Sequence, residues 1–87
     1  MPGIARDNGK DVAGGPIIQG SPNVYANNFI VARRGDQVAP HGRGPHRSPV
    51  MVGASNNVFA NGIGVCRAGD PASCGHPASG SSDVFVN

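Results

Sequence analysis

The 87-residue sequence contains no leucine, glutamate, threonine or tryptophan, and its single lysine is Lys10. Leu, Glu and Lys are the usual builders of helices, so their scarcity excludes a helical bundle. Long apolar runs are missing too: the longest, Phe29-Ile30-Val31-Ala32, is far short of the ~20 residues that a membrane-spanning helix needs. The beginning, Met1-Pro2-Gly3-Ile4-Ala5-Arg6, lacks an apolar h-region, so no signal peptide and synthesis in a cytoplasm are expected. Charge is sparse, at 14% of residues with a net of +2, and the arginines stand singly except at Arg33-Arg34 and around Arg43 and Arg47. A nucleic-acid binder would show a basic stripe with stacking aromatics; nucleic acid is not implied.

What remains is rich in Gly (14) and Pro (8), with ten Val and five Ile to make strands. Low charge and many β-branched residues argue against disorder, which favours the opposite composition. A chain this small buries only about 60% of its unfolded surface. Ordering costs about 1.5 kcal/mol per residue, which a core of Val, Ile and three Phe struggles to offset, so something besides packing is expected to hold the fold. The two cysteines, Cys66 and Cys74, can pair, but thiols made in a cytoplasm are more often free or metal-bound.

The chain repeats itself. Val24 to Asp36 aligns with Val58 to Asp70 at a constant offset of 34 residues, both reading V-[YF]-A-N-x-x-x-V-x-R-x-G-D, with seven identities in 13 positions. A third copy is split between the two ends: Val84-Phe85-Val86-Asn87 matches the start of the unit and Ile4-Ala5-Arg6 matches its end. Joining the ends in space completes it, and the simplest such geometry is a closed pseudo-threefold arrangement. Within each unit, Asn27-Asn28 or Asn61-Gly62 supplies the positive-φ residues of a two-residue hairpin turn. The second strands are expected at Phe29 to Arg33 and Ile63 to Arg67, and the three hairpins at 24–33, 58–67 and the composite of 84–87 with 2–6. Long Gly-, Pro- and Ser-rich loops follow near 8–20, 36–53 and 70–80, and loops of that length are usually functional, disordered or ligand-held. Threefold closure sends all three out at one end, where their side chains can meet.

These units, with Val31-Ala32-Arg33-x-Gly35-Asp36 and Ile4-Ala5-Arg6 after the hairpins, resemble the PAAR-repeat family over essentially the whole chain, residues 1–87 forming one domain. The motif is degenerate at Pro2-Gly3-Ile4-Ala5-Arg6, Ile30-Val31-Ala32-Arg33 and Gly64-Val65-Cys66-Arg67, so the likeness rests on repeat phase and the Gly-Ser-x-Asn/Asp-Val-Tyr/Phe framework. The resemblance implies a small all-β cone of three pseudo-threefold hairpin repeats. Its flat base would cap a homotrimeric β-helical spike, one tip per trimer, and its apex would hold Zn2+. Such tips head type VI secretion spikes and contractile phage tails and contact the target membrane transiently. The expected location is a phage virion, or a cytoplasm followed by export through the type VI apparatus; the phage tail is preferred.

Apart from Cys66, the strong metal ligands all fall in two loops: His41 and His46 in the second, Cys74 and His76 in the third. Three imidazoles and one thiolate make a closed tetrahedral set that suits structural zinc. The first loop, around Ala13, offers no ligand, unlike many PAAR proteins. Cys66 stands where the motif has Ala and is expected to be a buried inert thiol, while Arg6, Arg33 and Arg67 are expected to fix turns through neighbouring Asp or Asn. Val24, Tyr25, Val58, Phe59, Val84 and Phe85 alternate along the strands, so each pair turns one residue inward and offers its neighbour to a partner. A catalytic zinc site needs an open position and a general base; with four protein ligands and no Glu, the expected role is mechanical. The alternative is a generic zinc-binding interaction module, nucleic-acid binding included.

Overall fold

A computed structural model describes residues 2–8 and 11–87. Met1, and Gly9 and Lys10 of the first loop, lie outside the described residues. The molecule measures 32 × 23 × 22 Å. Among the described residues the regular structure is two antiparallel hairpins and one 3-10 turn. The hairpins are β1 (Tyr25–Ala26) with β2 (Phe29–Ile30), and β3 (Phe59–Ala60) with β4 (Ile63–Gly64), paired Tyr25 to Ile30 and Phe59 to Gly64. Their turns have left-handed φ values of 53° and 69° at Asn27 and Asn28 and 57° and 77° at Asn61 and Gly62. Two consecutive positive φ angles match the right-handed twist of the flanking strands, which explains Asn and Gly at those positions.

The third hairpin is assembled from the two ends of the described chain. Gly3 bridges Phe85, the Ile4 amide donates to the Val84 carbonyl and the Val86 amide to the Pro2 carbonyl. The Ile4 bond is the counterpart of those from Val31 to Val24 and from Val65 to Val58. The outgoing arms are shorter than the expected strands, because Val31 and Val65 keep one backbone bond each to their own hairpin and from there the arms pair across repeats. Single bridges join Arg6 to Val31, Arg33 to Val65 and Arg67 to Ile4. Between them runs a closed set of backbone bonds: Ala5 donates to Cys66, Cys66 to Ala32 and Ala32 to Ala5, each at 2.9 Å. Higher up, Ile18 donates to Gln37, Val52 to Pro71 and Ser79 to Val12, so each loop is tied to the next.

Small residues make this close approach possible. Ala5, Ala32 and Cys66 are fully buried in a core with Ile17, Val38 and Met51, while Ile4, Ala26, Val31, Ala60 and Val65 form a second cluster beneath the hairpins. Where bulky residues would keep backbones apart, Ala and Val bring them within hydrogen-bonding distance and satisfy the buried amides.

Each repeat then turns on an ion pair. Asp11, Asp36 and Asp70 are buried, and their carboxylates accept both the backbone amide and the guanidinium of Arg6, Arg33 and Arg67. The hydrogen bonds to Asp11 and Asp70 hold the Arg6 and Arg67 guanidiniums above their ordinary pKa. The expected turn-fixing arginines are therefore found, with Arg6 choosing Asp11 five residues on and not the adjacent Asp7.

Candidate metal centre

The second loop carries His41 and His46 to the third loop's Cys74 and His76. The 3-10 turn Gly44–His46 reverses the chain between the two histidines, and the His41 amide donates to the His46 carbonyl. Gly75, at φ 91°, turns the chain between Cys74 and His76. The ligand atoms of His41, His46, Cys74 and His76 all lie within 4.8 Å of one another, with His76 exposed and the others half-buried. Ring centroids of the three histidines are 5.0, 5.1 and 5.2 Å apart.

The hydrogen bonds show what this cluster can do. His41 Nδ1 lies 2.9 Å from the Ala39 carbonyl, which only an N–H can satisfy; in the neutral ring Nε2 is thereby the bare nitrogen. That nitrogen faces His46 Nδ1 at 3.2 Å and Cys74 Sγ at 3.5 Å. Orientation of a ligating imidazole by a carbonyl on its far nitrogen is the usual outer support of a metal site. The donor set fits zinc: three nitrogens and a thiolate complete a tetrahedral shell. Segments 37–50 and 71–80 contain no carboxylate at all, and Arg43 and Arg47 beside the cluster are exposed.

The first loop contributes without ligating. Gly14 sits at φ 86°, and a β-carbon there would overlap the His76 ring and stand 2.5 Å from His41 Nε2. Its neighbour Ala13 is fully buried, with its carbonyl 3.9 Å from Cys74 Sγ. Gly14 was not legible as a site residue, because a Gly-Gly pair in a loop carries no chemical signature; only the crossing of loops gives it one. Cys66 is a free, fully buried thiol, and burial pushes its pKa up to about 12. It lies in the core and not with the four clustered donors.

Of the residues offered to a partner, Tyr25, Phe59 and Phe85 are exposed by 60%, 59% and 49%, at equivalent positions of the three hairpins. Val24 is also exposed, whereas Val58 and Val84 are half-buried against the second core cluster. The aromatic of each pair therefore faces out.

The described residues thus form a small, nearly all-β fold with three equivalent hairpins and, in two of its loops, a group of donors that could hold a metal ion. Comparison with known families is specific: the PAAR-motif model matches residues 8–78, and the chain belongs to that family. Membership fits a spike-tip protein of a contractile injection system. Comparison with curated proteins finds no match.

Proposed function

We propose that the whole chain, residues 1–87, is one PAAR unit that forms the conical, membrane-piercing tip of a contractile injection machine, with zinc bound by His41, His46, Cys74 and His76. The phage tail is the first machine to test and type VI secretion the next. The observation that carries the reading is the convergence of four donors from two loops in a family of spike-tip modules. When bound, zinc supplies a cross-link between the second and third loops, joining segments that otherwise hold few apolar side chains. The site is structural and not catalytic: four protein donors leave no open coordination position, and segments 37–50 and 71–80 offer no carboxylate as a base.

Tyr25, Phe59 and Phe85, with Val24, Val58 and Val84 beside them, form the surface that meets the spike. Three equivalent aromatics on one chain suit a true trimer, each facing one partner subunit. Large exposed apolar groups mark interaction sites, and aromatics are favoured anchors. The test is a mass measurement on the zinc-loaded protein mixed with its cognate spike: the expected complex holds one tip per three spike chains. Three tips per trimer, or no complex, overturns the reading.

A further inference from the structure

The turn asparagines of the hairpins do more than permit a positive φ. Asn27 Oδ1 accepts from Arg6 Nη1 at 2.6 Å and from Ser81 Oγ at 2.7 Å, while its Nδ2 donates to Asp83 at 2.8 Å. Asn61 repeats the pattern one repeat on: Oδ1 accepts from Arg33 Nη1 at 3.4 Å and Ser21 Oγ at 2.5 Å, and Nδ2 donates to Asn23 at 2.8 Å. In each case a carboxamide from one hairpin enters a receptor of Arg, Ser and Asx drawn from another repeat.

The third receptor is built from Arg67, Ser55 and Asn57. Its frame matches the others: Ser55 Oγ accepts the Asn57 and Val58 amides, as Ser21 Oγ accepts those of Asn23 and Val24. Arg67 Nη2 reaches the Ala54 carbonyl at 3.4 Å, as Arg33 Nη2 reaches that of Gly20. Ser55 Oγ reaches Asn57 Oδ1 at 2.9 Å, as Ser81 Oγ reaches Asp83 at 2.8 Å, yet among the described residues it meets no incoming carboxamide and Arg67 Nη1 donates to nothing. The repeat assigns this place to Asn87, which in this structure is exposed and makes no hydrogen bond among the described residues. Asn87 ends the sequence Val84-Phe85-Val86-Asn87 where Asn27 and Asn61 end theirs, and the third hairpin is in register up to Val86.

We infer that Arg67, Ser55 and Asn57 form a binding site for a primary carboxamide, and that its occupant is Asn87 of the same chain. Seated there, Asn87 would accept at Oδ1 from Arg67 Nη1 and Ser55 Oγ and donate from Nδ2 to Asn57 Oδ1, as Asn27 and Asn61 do in theirs. Ser55 Oγ gives up Asn57 as acceptor in doing so and frees that oxygen for the incoming amide. The outcome is a third lock that ties the hairpin made of both ends to the repeat beside it.

The test is urea unfolding of the zinc-loaded full chain, with Asn87→Ala, Asn57→Ala and the double variant, and Asn61→Ala as the standard for a filled receptor. Hydrogen bonds of this kind are worth about 1 kcal/mol, so Asn87→Ala is expected to lower the folding constant about fivefold, and the loss should shrink in the Asn57→Ala background, where one of its three bonds is already gone. In NMR spectra the Arg67 guanidinium protons should exchange faster with water in Asn87→Ala. A folding constant within twofold of the parent, with the Arg67 signals unchanged, overturns the assignment. So does an Asn87→Ala loss that persists undiminished without Asn57.

Discussion

Gly14 is the residue on which the proposed zinc site turns without supplying a ligand. A side chain at that position meets two imidazoles and a φ that L-residues avoid. Gly14→Ala should therefore weaken zinc binding about 10- to 100-fold, the range for lost outer support of a metal, and competition with a chromophoric chelator measures it. Cys74→Ser serves as the reference for a lost ligand, and equal affinity of Gly14→Ala and parent would show that the first loop stands clear of the metal. Cys66 is the contrast. Its ring partners Ala5 and Ala32 are equally buried, so the position tolerates a methyl group. Burial favours the neutral thiol, so its contribution to stability is complete below the ordinary value of 9.0 and lost as pH rises toward about 12. At neutral pH it is protonated and shielded, hence unreactive.

At the scale of elements, the loops and the serine turns respond to different reagents. In the proposed zinc-loaded tip the four donors join the second and third loops, so chelation should raise amide exchange in 36–53 and 70–80 before the hairpins loosen. Alkylation after chelation should label Cys74 and leave Cys66 unmodified. Unchanged protection under chelator would mean that the loops hold without metal. The serine turn at the third hairpin is the acid-sensitive one. Ser81 and Asn27 donate to Asp83 and hold its carboxyl below the usual 3.8. A depressed carboxylate adds stability above its unfolded value, and that contribution is lost as pH falls through the folded one. Asn23 and Asn57 fill the same place in the other repeats, so Asp83→Asn should keep the fold and flatten the acid limb of urea midpoints measured against pH. An unaltered acid limb would remove Asp83 from the account.

For the whole molecule, the hairpin aromatics and the metal group lie on different parts of the chain: strands for the first, loops for the second. The proposed tip separates attachment from sharpening in the same way. Changing Phe59 and Phe85 together to Ser removes two of the three aromatics at the equivalent hairpin positions with little disturbance of the buried clusters. Affinity for the spike trimer should fall at least tenfold, since buried aromatic anchors are each worth 2 kcal/mol or more at about the hot-spot level, and zinc content should stay at the parental level. Calorimetric titration with metal analysis separates the two outcomes. Loss of zinc without loss of spike affinity would reverse the assignment of the two ends.

The sequence by itself determined what depends on neighbours in the chain. Asn27-Asn28 and Asn61-Gly62 marked the turns because left-handed φ is a local demand. The constant offset of 34 between Val24 and Val58 set out the repeats, and the clustering of His41, His46, Cys74 and His76 in two loops exposed the donor set. Tertiary structure decided what depends on distance across the chain. It chose Asp11 over Asp7 for Arg6, ran the arms from one repeat to the next at Ala5, Ala32 and Cys66, and laid Gly14 against the histidines. These follow from how closely backbones approach once small side chains are buried between them. Apart from the Arg6–Asp11 pair, no short window of the sequence contains both sides of such a contact.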